Sequence, residues 1–143
     1  WLDGKYDEFR YAGLNIADEQ EFTNAPEFSG AMNLEYRTDL SGGGNLSARV
    51  GYSYQSEVVA TTEILRAEVP PNGRGPITQD GYGLLNAGVT WRVNSAWSFS
   101  LNGSNLTDEE YLTTGYNLNR ALGVYTGFYG APRQYSLTAR FDF

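Results

Sequence analysis

The side chains with chemical potential fall into three short stretches. "TDEE", residues 107–110, brings three carboxylates together, an oxygen-rich group of the kind that holds Ca²⁺. An acidic, solvated start to a loop has the same composition, and that reading is preferred. "SGGGN", residues 41–45, is glycine-rich, but a strand pattern and not a helix follows it, so phosphate cradling does not follow. "GYNLNRALGVYTGFYGAP", residues 115–132, mixes rings, amides and a guanidinium suited to grasping a polar ligand. Its candidate contacts are Tyr116, Asn117, Asn119, Arg120 and Tyr125, with packing of the loop on its neighbours as the alternative. The 143 residues include no histidine and no cysteine. That removes Ser-His-Asp and Cys-His triads, most zinc sites and any disulfide framework. With no convincing carboxylate pair on facing strands either, nothing is left to move a proton at neutral pH. Binding or structure is therefore expected, not catalysis, with no cofactor and no metal.

What positions these residues is legible in the composition. Aromatic residues make up 15%, with 11 Tyr, 7 Phe and 3 Trp, and there are 17 glycines, which together point to an all-β chain. A net charge of −7 argues against nucleic acid as a partner. Apolar runs are a few residues long, against the about 20 that a membrane helix needs, which excludes helical spans only. A membrane β-barrel shows no such run, because its lipid-facing and lumen-facing residues alternate. The opening "WLDGKYDEFR" has no initiator Met, basic n-region or apolar h-region. The chain is expected to begin after processing or inside a longer protein.

The alternation itself is clear. In "FSGAMNLEYRT" Phe28, Met32, Leu34 and Tyr36 oppose Ser29, Asn33, Glu35 and Arg37. "NLSARVGYSYQSE" sets Leu46, Ala48, Val50, Tyr52 and Tyr54 against Ser47, Arg49, Ser53 and Gln55. "GLLNAGVTWRV" sets Leu85, Ala87, Val89, Trp91 and Val93 against Asn86, Thr90 and Arg92. "WSFSLNGSN" sets Trp97, Phe99 and Leu101 against Ser98, Ser100, Asn102 and Ser104. The terminal strand places Tyr135, Leu137, Ala139, Phe141 and Phe143 on one face and Ser136, Thr138, Arg140 and Asp142 on the other. A period of two is a strand with one apolar and one wet face, and such runs reach the about 9–11 residues of a tilted membrane strand. The opening segment predicts a weaker sixth, with Leu2 and Tyr6 against Asp3, Lys5 and Asp7.

The connections alternate too. Residues 11–27, 59–80 and 107–130 are long, whereas "SGGGN" and "NSA" are short turns. Long and short in strict turn is the rhythm of an up-and-down outer-membrane barrel, with tight periplasmic turns and long outer loops. Aromatics bracket the aliphatics, with Phe28 and Tyr36 around Met32 and Leu34, and Trp91 and Trp97 around the "NSA" turn. Such rings mark the two membrane–water interfaces of a barrel. The expectation is an antiparallel up-and-down transmembrane β-barrel segment of about six strands, a partial barrel. Its charged Glu35, Arg37, Arg49, Arg92, Arg140 and Asp142 then face the lumen as structural ion pairs. Two alternatives stay open: a soluble β-sandwich binding module, and a small closed outer-membrane barrel with a structural or adhesive role.

The end of the chain resembles the C-terminal end of TonB-dependent outer-membrane receptors. An "NL.D..Y" stretch corresponds to Asn105, Leu106, Asp108 and Tyr111, and a closing "G.PR.Y" strand to Gly130, Pro132, Arg133, Tyr135 and Phe143. "NAPEFSG" and "QDGYGLLNAGVTWRV" also resemble the family. The resemblance implies a plugged barrel of about 22 strands that imports a scarce nutrient such as a ferric siderophore, cobalamin or a glycan. It implies energy from TonB, a place in the bacterial outer membrane, and lipid, the plug and the remaining strands as partners. The terminal aromatic strand, Tyr135, Phe141 and Phe143, is by the same resemblance the signal for the barrel-assembly machinery. Residues 1–143 are expected to be the C-terminal part of such a receptor. The plug, the TonB-contacting box and the earlier strands would then lie outside them.

Overall fold

The computed structural model describes residues 1–11, 13–60, 77–118 and 122–143. Its strands, in chain order, are β1 (Arg10–Tyr11), β2 (Leu14–Asn15), β3 (Ser29–Asp39), β4 (Asn45–Gln55), β5 (Val58–Val59) and β6 (Thr78–Gln79). β7 (Tyr82–Arg92), β8 (Trp97–Ser104), β9 (Leu112–Asn117), β10 (Tyr125–Tyr129) and β11 (Gln134–Phe141) complete the order. The fold is all-β, as the composition requires. Among the described residues no helix is long and apolar enough to cross a membrane. The chain divides into two compact units. One holds Trp1–Ser29, Gln55–Tyr82 and Glu110–Gly130, and the other Gly30–Tyr54, Gly83–Glu109 and Ala131–Phe143.

The second unit is built on a five-stranded sheet in the order β11-β8-β7-β4-β3. All five alternating segments are in it. The antiparallel register sets like against like. Leu137 lies opposite Leu101, which lies opposite Val89, and Thr138 lies opposite Ser100, which lies opposite Thr90. A one-residue slip would invert every pair, so the alternation excludes it.

The two short turns close by different chemistry. In the first, the Leu40 amide donates to the Gly44 carbonyl at 2.7 Å and the Gly43 amide to the Leu40 carbonyl at 3.0 Å. Gly43 sits at φ +86°, open to glycine at little cost. In the second, the Asn94 side-chain oxygen accepts from the amides of Ala96 and Trp97, both at 2.9 Å, an Asx turn. The turns lie side by side, because a Cβ on Gly44 would strike the Arg92 carbonyl oxygen and come within 2.9 Å of that of Val93. Both obstacles are backbone and do not yield. Gly44→Ala is expected to destabilise the assembled protein by about 1–2 kcal/mol, read by urea unfolding, while alanine at Gly42, with open space around it, is neutral.

The first unit overturns one expectation. Residues 1–9 form no strand, and only Arg10–Tyr11 pairs, in a two-residue hairpin with Leu14–Asn15. The reason is aromatic packing. Tyr6 meets Phe9 edge-on at 5.3 Å and Phe22 at 4.5 Å, and the Phe22 ring covers the face of Gly4. Rings gathered into one cluster cannot alternate along a strand. The sheet therefore has five strands, not six, among the described residues.

The described parts of the second and third long connections also carry short strands. β5 pairs with β6, and β9 with β10. Ala60 donates to the Ile77 carbonyl at 3.0 Å and accepts from the Gly115 amide at 3.1 Å. Ile16, Val58, Val59, Ala60 and Ile77 form the buried core of this unit. Gln79 joins them without penalty, its side chain donating to the Asp80 carbonyl at 2.8 Å and accepting from the Leu112 amide at 2.6 Å.

Candidate functional site

The sheet has no buried core of its own. On its apolar face Met32, Leu34, Leu101, Tyr135 and Leu137 are all more than half exposed, with Leu137 at 77%. Large apolar side chains in contiguous exposed rows mark a surface meant for something other than water. Their order along the strands is layered. Leu137, Leu101 and Val89 form an aliphatic row across three strands. The next row holds Ala139, Phe99 and Trp91, and the last Phe141 and Trp97 beside the Asn94 turn. There the rings touch: Trp97 lies 4.8 Å from Phe141 and stacks on Phe99 at 6.0 Å, and Phe143 reaches Phe141 at 6.2 Å. Toward the other end stand Tyr135 and Tyr52, the latter with its ring over Gly83. This is an aliphatic band between aromatic rims, the profile of a wall facing lipid.

The other face is polar and hollow. A cavity of about 730 Å³ is lined by Asn33, Arg49, Ser53, Asn86, Asn102 and Ser136. A smaller one brings Glu35, Arg49, Thr90 and Ser100 together. Arg49 Nη2 donates to Asn102 Oδ1 at 3.1 Å, and the Thr90 and Ser100 hydroxyls meet at 3.0 Å. Glu35 pairs with Arg37 at 2.8 Å and Arg140 with Asp142 at 2.9 Å, each two residues apart along one strand face. More than half exposed, such pairs are worth about 0–1 kcal/mol each, so their role is solubility of the face more than stability. Of the charges expected on the wet face, Glu35, Arg37, Arg140 and Asp142 are thus paired and Arg49 is hydrogen-bonded.

The candidate ligand residues come from the first unit. Tyr116 lies opposite Thr126, and Asn117 opposite Tyr125. Neighbours along a strand point to opposite faces, so the hairpin separates Tyr116 from Tyr125. Tyr116 instead meets Phe128 edge-on at 6.1 Å, a partner the sequence did not suggest. Asn119 and Arg120 lie outside the described residues. The residues 107–110 gather no metal-type cluster among the described residues. Instead, Asp108 bonds Arg133.

A sheet with one bare, aromatic-rimmed apolar face and one polar, hollow face is a piece of transmembrane barrel wall. Residues 1–106 match the family described as TonB dependent receptor-like, beta-barrel, and the chain belongs to that family, whose members reside in the bacterial outer membrane. A curated relative is the Ferric-pyoverdine M114 receptor PbuA of Pseudomonas sp. (strain M114), 33% identical over 75 residues. That match takes in 51% of this chain and only 8% of the relative. No solved structure matches the chain.

Proposed function

We propose that the chain is the C-terminal part of the wall of an outer-membrane receptor that binds and imports a ferric siderophore, with energy delivered through TonB. The observation that carries the reading is the bare aliphatic band between aromatic rims in a chain of this family. The siderophore is favoured over cobalamin or a glycan by the similarity to a ferric-pyoverdine receptor. On this reading the polar face lines the lumen against the plug. The free edges of β3 and β11 pair with the remaining strands, and β11 with its terminal aromatics is read by the assembly machinery. No catalytic step is assigned to any residue.

The test is uptake by cells carrying the complete gene or its deletion, under iron limitation. Expected is growth on, and energy-dependent accumulation of, ⁵⁵Fe-labelled ferric pyoverdine, lost on deletion and on collapse of the proton-motive force. Uptake of labelled cobalamin or an oligosaccharide in its place would move the substrate while leaving the receptor reading intact. Recovery of the protein from the soluble fraction would defeat both.

A further inference from the structure

We propose that Asn105, Asp108 and Arg133 form a register lock that holds terminal strand β11 in one alignment on β8; the proposal rests on the membrane-wall reading above. The need for a lock follows from topology. β7 and β8 are joined by the tight Asn94 turn, whose length fixes their register. Between β8 and β11, Ser104 lies opposite Gln134, with the whole of 105–133 between them. A connection of that length fixes no register. Alternation removes slips by one residue but not by two. In a two-residue slip Leu137 would face Phe99 or Gly103 in place of Leu101, and every apolar side chain would stay on the apolar face. The facing residues cannot choose between these alignments, so the choice is made elsewhere.

The lock sits where the ladder ends. Asn105 is 4% exposed and holds φ +48°, a left-handed backbone rare outside glycine. Its side-chain amide donates to the Glu109 carbonyl at 2.8 Å and to the Ala131 carbonyl at 3.1 Å, and its oxygen accepts from the Glu109 amide at 2.8 Å. Its own amide donates to Asn86 Oδ1 at 3.1 Å, on β7. Asp108, at φ +57°, takes the Arg133 amide on one oxygen at 3.0 Å and Arg133 Nη2 on the other at 3.2 Å. One grip thus holds Ala131 and the other Arg133, the residue before β11 begins. A two-residue slip would draw both away by about 7 Å and break the bonds to Ala131 and Arg133, while those of Asn105 to Glu109 and Asn86 hold the grip itself in shape. Only a side chain with two donors and an acceptor at this reach serves at position 105. Aspartate has no donor, and glutamine is one methylene too long.

The chain has no cysteine, so introduced pairs report register directly in the complete receptor. Directly opposed residues lie within disulfide reach. S100C with T138C reads the native alignment, and S98C or N102C with T138C reads the two slips. Asn105→Ala and Asn105→Asp are expected to raise the slipped crosslinks roughly tenfold over the unsubstituted background, as befits loss of buried hydrogen bonds. Asp108→Ala should raise them too, whereas Asp108→Asn, which keeps an acceptor for the Arg133 amide, should raise them less. Slipped crosslinks at background in both Asn105 variants would overturn the lock. So would normal register accompanied by a loss of siderophore affinity, since the bonds would then serve segment 105–133 alone. If Asn105→Ala yields little assembled protein, Asp108→Ala at its exposed position gives the same readout. Sedimentation of the unsubstituted protein with the outer membrane tests the wall reading separately, and crosslinks in detergent-solubilised protein still report register if that reading fails.

Discussion

Arginine in place of Leu137 is expected to lower the folding free energy of the assembled receptor by about 2–4 kcal/mol, and arginine in place of neighbouring Thr138 by under about 0.5 kcal/mol. Leu137 stands in the middle of β11, 77% exposed, with Leu101 opposite and Tyr135 and Phe141 toward the two ends. If lipid covers that face, the guanidinium must enter hydrocarbon near the midplane or drag water and headgroups inward. Thr138 faces the wet side, opposite Ser100 and beside paired Arg140, where one more cation is solvated. The measurement is urea unfolding of the complete receptor in liposomes, with the fraction resistant to unboiled detergent electrophoresis as a second readout. In water both substitutions would be mild, because both positions are exposed. The asymmetry between adjacent residues is therefore the signature, and equal small effects would remove lipid from the argument.

That asymmetry was readable in the sequence, because a two-residue period contains it. All five strands of the sheet follow from alternation, which also says which residues share a face but leaves pairings two residues apart equivalent. What was not readable depends on contacts between segments. The opening residues carry two apolar positions in a strand-like period, but Tyr6 is claimed by Phe9 and Phe22. β9 and β10 were hidden because their alternation is interrupted at Gly115 and Gly127, which pair across the hairpin. Ile77, from outside the hairpin, fills the space over Gly115, and Leu112 of β9 itself that over Gly127, so neighbouring side chains supply the missing bulk. The closing motif named Asn105, Asp108 and Arg133, but spacing says nothing of an amide that grips two distant carbonyls. For the ligand residues, the strand pairing decides which faces they share, and that pairing lay inside a stretch that reads as loop.

The blanks in the wet face teach the same lesson with the sign of an energy. Position 88 should carry a polar side chain by alternation and carries glycine, as does position 51. Strand propensity alone makes Gly88→Val stabilising, by up to about 1 kcal/mol. The structure reverses this. Arg49 reaches Asn102 across the bare backbone of Gly88, where a Cβ would stand 2.5 Å from Asn102 Oδ1 and 3.1 Å from Arg49 Nε. Valine must displace one of them, breaking a hydrogen bond from a charged donor, worth about 1.5–3 kcal/mol, and adding strain. Gly88→Val is thus expected to destabilise the assembled receptor by about 2–4 kcal/mol in urea unfolding. The decisive control is the same substitution in an Asn102→Ala background, where the bond is already lost and the nearer obstacle gone. There the effect should shrink by at least about 1 kcal/mol. An undiminished effect would place its cause in the strand and not in the bridge. The glycine is a floor under a cross-strand contact, and a floor becomes visible only once the strand on each side has been set in register.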